Sequence, residues 1–313
     1  MFIFITRRLL ATIPVLLMVA VFVFLLLRLT PGDPAAVIAG ENANAQQIEE
    51  IREKLGLRKP LVTQFAIWIG NVLQGDLGVS FFYKKTVAEL IGERLEPTLM
   101  LSLCTMLIAI LVAIPLGVLA AYKHGTWIDR VTMAFSVAGF SVPVFVIGYL
   151  LIYVFAIELG WLPVQGYGRL AQGLPNFIER IVLPSATLSV IYIALIARIT
   201  RASVLEVLGE DYIRTARAKG LTEVKILRRH ALRNAAVPIV TVIGIGIALL
   251  IGGAIVTESV FNIPGLGRLV VDAVLARDFP IIQAVILVFS VAYVLVNLVI
   301  DLAYTLFDPR IRY

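Results

Sequence analysis

Charge is what this chain has least of. Of its 313 residues only 15% are Asp, Glu, Lys or Arg, against 60% hydrophobic, where soluble domains average about 25% charged. That shortage excludes an ordinary soluble domain. It is also uneven, because six stretches carry no charge at all: 9–27, 97–122, 131–157, 181–197, 234–257 and 279–300. A membrane-spanning helix needs roughly 17 to 25 predominantly apolar residues. Every stretch reaches that length, the shortest by extending past Arg198, whose long side chain can snorkel to the interface. The reading is an all-α polytopic membrane protein with six transmembrane helices.

Other absences narrow the function. The one cysteine, Cys104, can form no intrachain disulfide and reads as a small buried hydrophobe. The only two histidines, His124 and His230, are far apart, so no Cys/His metal cluster is written into the chain. There is no Gly-x-x-x-x-Gly-Lys-Ser/Thr phosphate loop, and no Ser/His/Asp or paired-carboxylate arrangement. The chain therefore reads as a non-enzyme without cofactor. Carriers driven by protons or sodium need ionisable or unwound polar sites near the bilayer midplane. Here Glu158, Arg198, Glu258 and Asp301 lie at the edges of the apolar stretches. If the protein moves a solute, its energy comes from another chain; a secondary carrier or channel without an ATPase is the alternative. The first apolar stretch is longer than the roughly 7 to 15 residues of a signal-peptide core, and Arg28-Leu29-Thr30-Pro31 is no cleavage site, so it reads as a retained first span.

What charge there is gives an orientation. With six spans, one side of the membrane carries fifteen basic residues, nine of them between Arg198 and Arg233, and the short loops of the other side carry four. The remaining eight sit at Arg28 and in the long first loop, which the positive-inside rule discounts. Both termini are thus expected in the cytoplasm. The net charge of +6 reflects this bias and is no sign of nucleic-acid binding; the lipid bilayer is the partner it implies.

Taken in order, residues 1–30 are the N-terminus and first span. Residues 31–96 open on the turn Pro31-Gly32-Asp33-Pro34. They continue with helical stripes at Ile48/Ile51/Leu55, Leu61/Phe65/Ile69/Val72 and Val87/Leu90/Ile91/Leu95. This segment reads as a small extracytoplasmic helical cap, either packed over the bundle or docking an external partner. Residues 97–313 form a core with the other five spans. The third span contains Gly139 and Pro143, which predict a bend and make a candidate gating point. In the fifth, Gly244, Ala248 and Gly252 share one helix face, a spacing that lets two backbones approach closely; a flexible pore-lining face is the other reading.

The longest polar passage of the core lies in the loop 198–236. Asp211-Tyr212-Ile213-Arg214-Thr215-Ala216-Arg217-Ala218-Lys219-Gly220 has acids at its start, cations near its end and a closing glycine, the pattern of a short helix. Tyr212, Thr215 and Lys219 fall on one face. Pattern alone leaves two uses open: a docking element for another protein, or a basic loop on anionic lipid.

Tyr212–Gly220, followed by Ile226-Leu227-Arg228-Arg229-His230-Ala231-Leu232-Arg233-Asn234-Ala235 and Pro238, resembles the cytoplasmic coupling loop of ABC importer permeases of the dipeptide/oligopeptide/nickel group. The resemblance extends nearly end to end. Arg7-Arg8-Leu9, Ile13-Pro14, Leu29-Thr30-Pro31-Gly32-Asp33-Pro34, Gln74-Gly75-Asp76-Leu77-Gly78, Arg94-Leu95, Phe261-Asn262-Ile263-Pro264-Gly265-Leu266-Gly267 and Asp308-Pro309-Arg310-Ile311-Arg312-Tyr313 are similar to the first, B-type subunit of a heterodimeric pair. It implies a multi-pass subunit of the bacterial inner membrane, with a homologous second permease, two cytoplasmic ATPase domains and an extracytoplasmic solute-binding protein as partners. It also implies a coupling helix at 211–219, with Gly220 as the motif glycine. Peptide is the implied solute, with nickel chelates or glutathione as alternatives within the family. Against the wider permease pattern the chain keeps Ala216, Gly220 and Leu232. It carries Arg214 where that pattern has Glu, Thr215 for the first Ala, His230 for Ile and Arg233 for Pro.

Overall fold

The structure is a computed structural model that describes residues 2–29, 35–36, 44–54 and 56–307. The expected turn at 31–34, the third residue of the first cap stripe (Leu55) and the motif 308–313 lie outside the described residues. Regular structure among the described residues is helical, apart from one isolated antiparallel bridge between Val79 and Thr86. In chain order the main helices are α1 (Phe2–Leu29), α2 (Ala45–Lys54), α3 (Leu61–Leu73), α4 (Val87–Tyr122), α5 (Trp127–Ser141), α6 (Val144–Leu151), α7 (Leu174–Leu208), α8 (Asp211–Ala218), α9 (Ala236–Val260), α10 (Leu266–Leu275) and α11 (Phe279–Phe307).

Four of these, α4, α7, α9 and α11, are long and apolar enough to cross a membrane, and α5 with the helix that follows it adds a fifth as a bent pair. The chain is an all-α polytopic membrane protein. The first apolar stretch is helical as well, within the 28 residues of α1.

The third apolar stretch is broken, where the sequence predicts a bend. Helix α5 stops at Ser141, Val142 takes an extended conformation (φ −91°, ψ 124°), Pro143 follows, and the chain restarts at an angle of 106°. The cause is local: proline has no N–H to donate, and its ring pushes the preceding residue out of the helical region. The helical run after the break, Val144–Glu158, ends in wider turns, with Leu159 N–H donating five residues back to Val154.

The chain forms two compact units. The first comprises Met1–Glu96 and Gly265–Leu295. In it the rings of Phe24, Phe65 and Trp68 meet at centroid distances of 5.3 to 6.0 Å, joining α1 to α3. Val87, Leu90, Leu266, Leu269, Ile281 and Val285 make its apolar core. Buried Asp278 accepts from Ser80 Oγ at 2.5 Å and from the Phe82 N–H at 3.1 Å, fixing the 78–86 turn.

The second unit comprises Pro97–Pro264 and Val296–Tyr313. Helix α7 is its centre. Four neighbours present a glycine to it, and a Cβ added at each would touch α7. At Gly117 of α4 it would fall 2.6 Å from Thr200 Cβ, at Gly139 of α5 3.1 Å from Ala194 Cβ, at Gly148 of α6 3.3 Å from Thr187 Cγ2, and at Gly253 of α9 2.9 Å from Leu188 Cδ1. In lipid no hydrophobic force draws helices together, so close backbone approach and dense packing must do it. Glycines are how this sequence permits that approach.

Candidate functional site: the Glu210–Asn234 loop

Helix α7 ends at Leu208, and Gly209 and the extended Glu210 turn the chain into α8. Asp211 occupies the first turn of α8, where its carboxylate complements the helix dipole. At the other end Gly220 has φ +79°, its N–H donates to the Arg217 carbonyl at 2.9 Å, and the Leu221 N–H reaches back to Ala216 at 3.2 Å. That pair of bonds is a Schellman cap, and the left-handed residue within it is the reason for a glycine there.

Ile213, Ala216 and Ile226 are buried together, with Val207, Leu208 and Leu221 packed around them. The loop thus has a small core of its own, seated on the end of α7. Its second half runs through three short helical pieces, Glu223–Lys225, Ile226–Ala231 and Leu232–Asn234. It packs Ala231 and Ala235 against Ala121 of α4 and Val204 of α7. Polar ties complete the platform. Arg217 Nε donates to Glu223 Oε1 at 2.8 Å, a hydrogen bond that raises the guanidinium pKa. Asn234 Nδ2 donates both to Tyr212 Oη and to the His230 carbonyl at 2.8 Å.

Of the residues singled out by sequence, Asp211, Tyr212, Arg214, Thr215, Arg217, Ala218, Lys219 and Gly220 are exposed, while Ile213 and Ala216 are turned into the loop core. Ala216 is therefore small because α8 packs on Ile226, and the surface open to a partner runs along Arg214, Thr215 and Ala218. The exposed cations Lys225, Arg228, Arg229 and Arg233 stand in the same loop.

The other predicted positions lie elsewhere in the second unit. Gly139 is at the α5–α7 approach described above, and Pro143 lies in the break itself, directly before α6. Gly244 lies where a Cβ would come 2.5 Å from Ile300 Cδ1, Ala248 is half-buried, and Gly252 is exposed with open space around it. The glycines of α9 that meet α7 are Gly246, 3.3 Å from Tyr192 Cδ1, and Gly253. Their seven-residue spacing is a signal that a search for residues four apart passes over.

One cluster was missed altogether. Asp129, buried at the start of α5, accepts a bidentate pair from Arg201 of α7 (Nε to Oδ1 2.5 Å, Nη2 to Oδ2 2.8 Å). The Gly125 N–H and His124 Nδ1 reach the same carboxylate at 3.0 and 3.1 Å. The pair ties the 123–126 turn to α7 two turns before the loop. Sequence offers no signal for it, since its partners are 72 residues apart.

Comparison with known proteins settles what carries this loop. Residues 113–313 match the family model described as binding-protein-dependent transport system inner membrane component, and residues 1–102 match its N-terminal counterpart. The chain belongs to that family. It is a non-catalytic permease subunit of a binding-protein-dependent importer and a multi-pass protein of the bacterial inner membrane. It is 57% identical over 311 residues, 99% of each chain, to the probable peptide ABC transporter permease protein y4tP of Sinorhizobium fredii. It is 48% identical over 310 residues, again 99% of each, to the glutathione transport system permease protein GsiC of Escherichia coli K12. The permease also shares its fold with a chain of the MetNI methionine ABC transporter solved in inward-facing conformations. That likeness has a TM-score of 0.58 at 20% identity and covers 70% of this chain and 96% of that one.

Proposed function

We propose that this permease imports short peptides, and that α8 with Gly220 is the helix through which partner ATPases drive it. The observation that carries the reading is the division of α8 into two faces. Ile213 and Ala216 are spent on the loop's own core, which leaves Arg214, Thr215 and Ala218 as an exposed strip on a braced platform two residues from the end of α7. A helix held this way passes a push to α7 with little loss, because packed interiors transmit strain.

In this reading the subunit has six spans, α1 being the first, and both termini face the cytoplasm. Residues 31–96 form an outer helical cap, and residues 97–313 are the transport core with its coupling loop at 198–236. A homologous second permease, two ATPase domains and an external solute-binding protein complete the complex. Peptide as solute rests on the two relatives above, one named for peptide and one for glutathione, itself a tripeptide. The break at Val142–Pro143 sits between two glycine contacts to α7, at Gly139 and Gly148, and is the place where the bundle can flex.

The test is Ala218→Arg in the assembled transporter. Ala218 is exposed, so folding is spared. Peptide uptake should fall more than about tenfold and ATPase co-purification should drop, the loss of an interface anchor costing about 2 kcal/mol. Uptake and co-purification at wild-type level would remove the docking role from α8. Ala216→Arg makes a useful contrast, because it should unfold the loop core as well.

A further inference from the structure

In the first unit a cavity of about 260 Å³ opens between α1, α3 and the turns around Gly56 and Gly78. Four charged side chains line it: Arg28, Lys59, Glu53 and Asp76. None of the four makes an ion pair with another or with any other described residue; the nearest polar use of the acids is the Gly78 N–H donating to Asp76 Oδ1 at 2.9 Å. Two cations and two anions share one small space without neutralising each other.

Arg28 is the most constrained. Its guanidinium lies 3.8 Å over the Phe24 ring, donates from Nε and Nη2 to Gln64 Oε1 at 3.3 and 3.0 Å, and from Nη1 to the Phe24 carbonyl at 3.3 Å. Gln64 is buried, and its own amide is fixed by bonds to the Leu57 and Lys59 carbonyls at 3.2 and 2.8 Å. A guanidinium has five N–H donors. Three are spent here, and two remain on a group that is locked in place and half-buried. Charged groups removed from water are ordinarily paired, and a rigid guanidinium edge suits an oxyanion.

We propose that this cavity binds a small zwitterion, with its oxyanion on Arg28 and Lys59 and its ammonium beside Glu53 and Asp76. Two molecules present that chemistry: a short peptide through its termini, and an ethanolamine phospholipid through its head group. Trp68 lines the same cavity and reports on it.

The experiment uses the full-length chain purified with its transporter partners, with Trp127→Phe and Trp161→Phe leaving Trp68 as this chain's own tryptophan. In nanodiscs of phosphatidylglycerol alone, dialanine should produce a saturable change in Trp68 emission. Arg28→Gln and Lys59→Gln should each weaken it about tenfold or more, the worth of a lost charge-assisted hydrogen bond. In mixed nanodiscs, native mass spectrometry should show phosphatidylethanolamine retained over phosphatidylglycerol, with the same two variants reducing the preference, if lipid is the occupant. Either result upholds the site and identifies its source. Because Arg28 also braces Gln64, the Lys59 variant, in an exposed turn, is the control for folding and should melt as wild type. Equal binding of dialanine with its carboxylate amidated or its amine acetylated would overturn the zwitterion. Dialanine and lipid both indifferent to Arg28 and Lys59 would overturn the site. No ATP is present, so the outcome is independent of whether α8 couples transport.

Discussion

Helices α7 and α11 are both apolar enough to cross a membrane, yet they meet opposite surroundings. Within the most apolar stretch of α7, 67% of the residues are buried, against 6% in α11. The more apolar of the two is the exposed one. In water this would be backwards. In lipid, an all-apolar surface is well solvated by acyl chains, and a helix gains a place in the bundle through small residues and self-satisfied hydroxyls. Helix α7 buries Thr187 and Ser189, whose hydroxyls donate to its own Leu183 and Ala186 carbonyls at 2.9 and 2.8 Å. Helix α11 turns Val291, Leu295 and Val299 outward.

The contrast can be broken most severely at the closest crossing. Gly117→Val would force a methyl into a space whose nearest atoms are 2.6 Å from a Cβ, and overpacking there should cost about 3 kcal/mol or more, read as a large fall in melting temperature in detergent. Gly252→Val, in open space on α9, should be nearly silent; equal losses would mean that α7 is not the packing centre. Asp129→Ala comes next. It strands Arg201, which is 20% exposed, and should cost about 3 kcal/mol, the lower end for an orphaned buried charge. Adding Arg201→Met should restore most of that loss, and failure to do so would argue against a charge effect. Thr187→Val removes a bond that α7 makes to itself and should cost about 0.6 kcal/mol, the average for polar groups in membrane bundles. Smallest of all, Leu295→Ala on the exposed face of α11 should stay within about 0.5 kcal/mol. A larger change would show that α11 has a protein neighbour on that face.

How legible each feature was in the sequence tracks how local its cause is. The expected helix at 211–219 appears as Asp211–Ala218 with Lys219 as its cap, since acids, cations and a left-handed glycine act within a few residues. The position of the break at Val142–Pro143 was legible for the same reason, as a proline effect. Its size was not: a proline can kink or end a helix, and the 106° turn depends on where α5 and α6 find their glycine contacts on α7. Ala216 was readable as small but not as inward-facing, because its burial depends on Ile226, ten residues on. The small-residue stripe on α9 was visible at Gly244, Ala248 and Gly252, whereas the glycines that touch α7 are Gly246 and Gly253.

By itself the sequence determined that this protein lives in a membrane, where its helices fall and where a polar helix interrupts them. Charge, apolar length and capping residues are properties of short stretches, and lipid enforces them stretch by stretch. Tertiary structure alone decided which helix is central, which glycines meet it, that Asp129 finds Arg201, and that four charged side chains with no ion-pair partner among the described residues line one cavity. Those are matters of which distant surfaces come together, and in a bilayer that choice is made by shape and hydrogen bonding, for which a run of apolar letters holds little information.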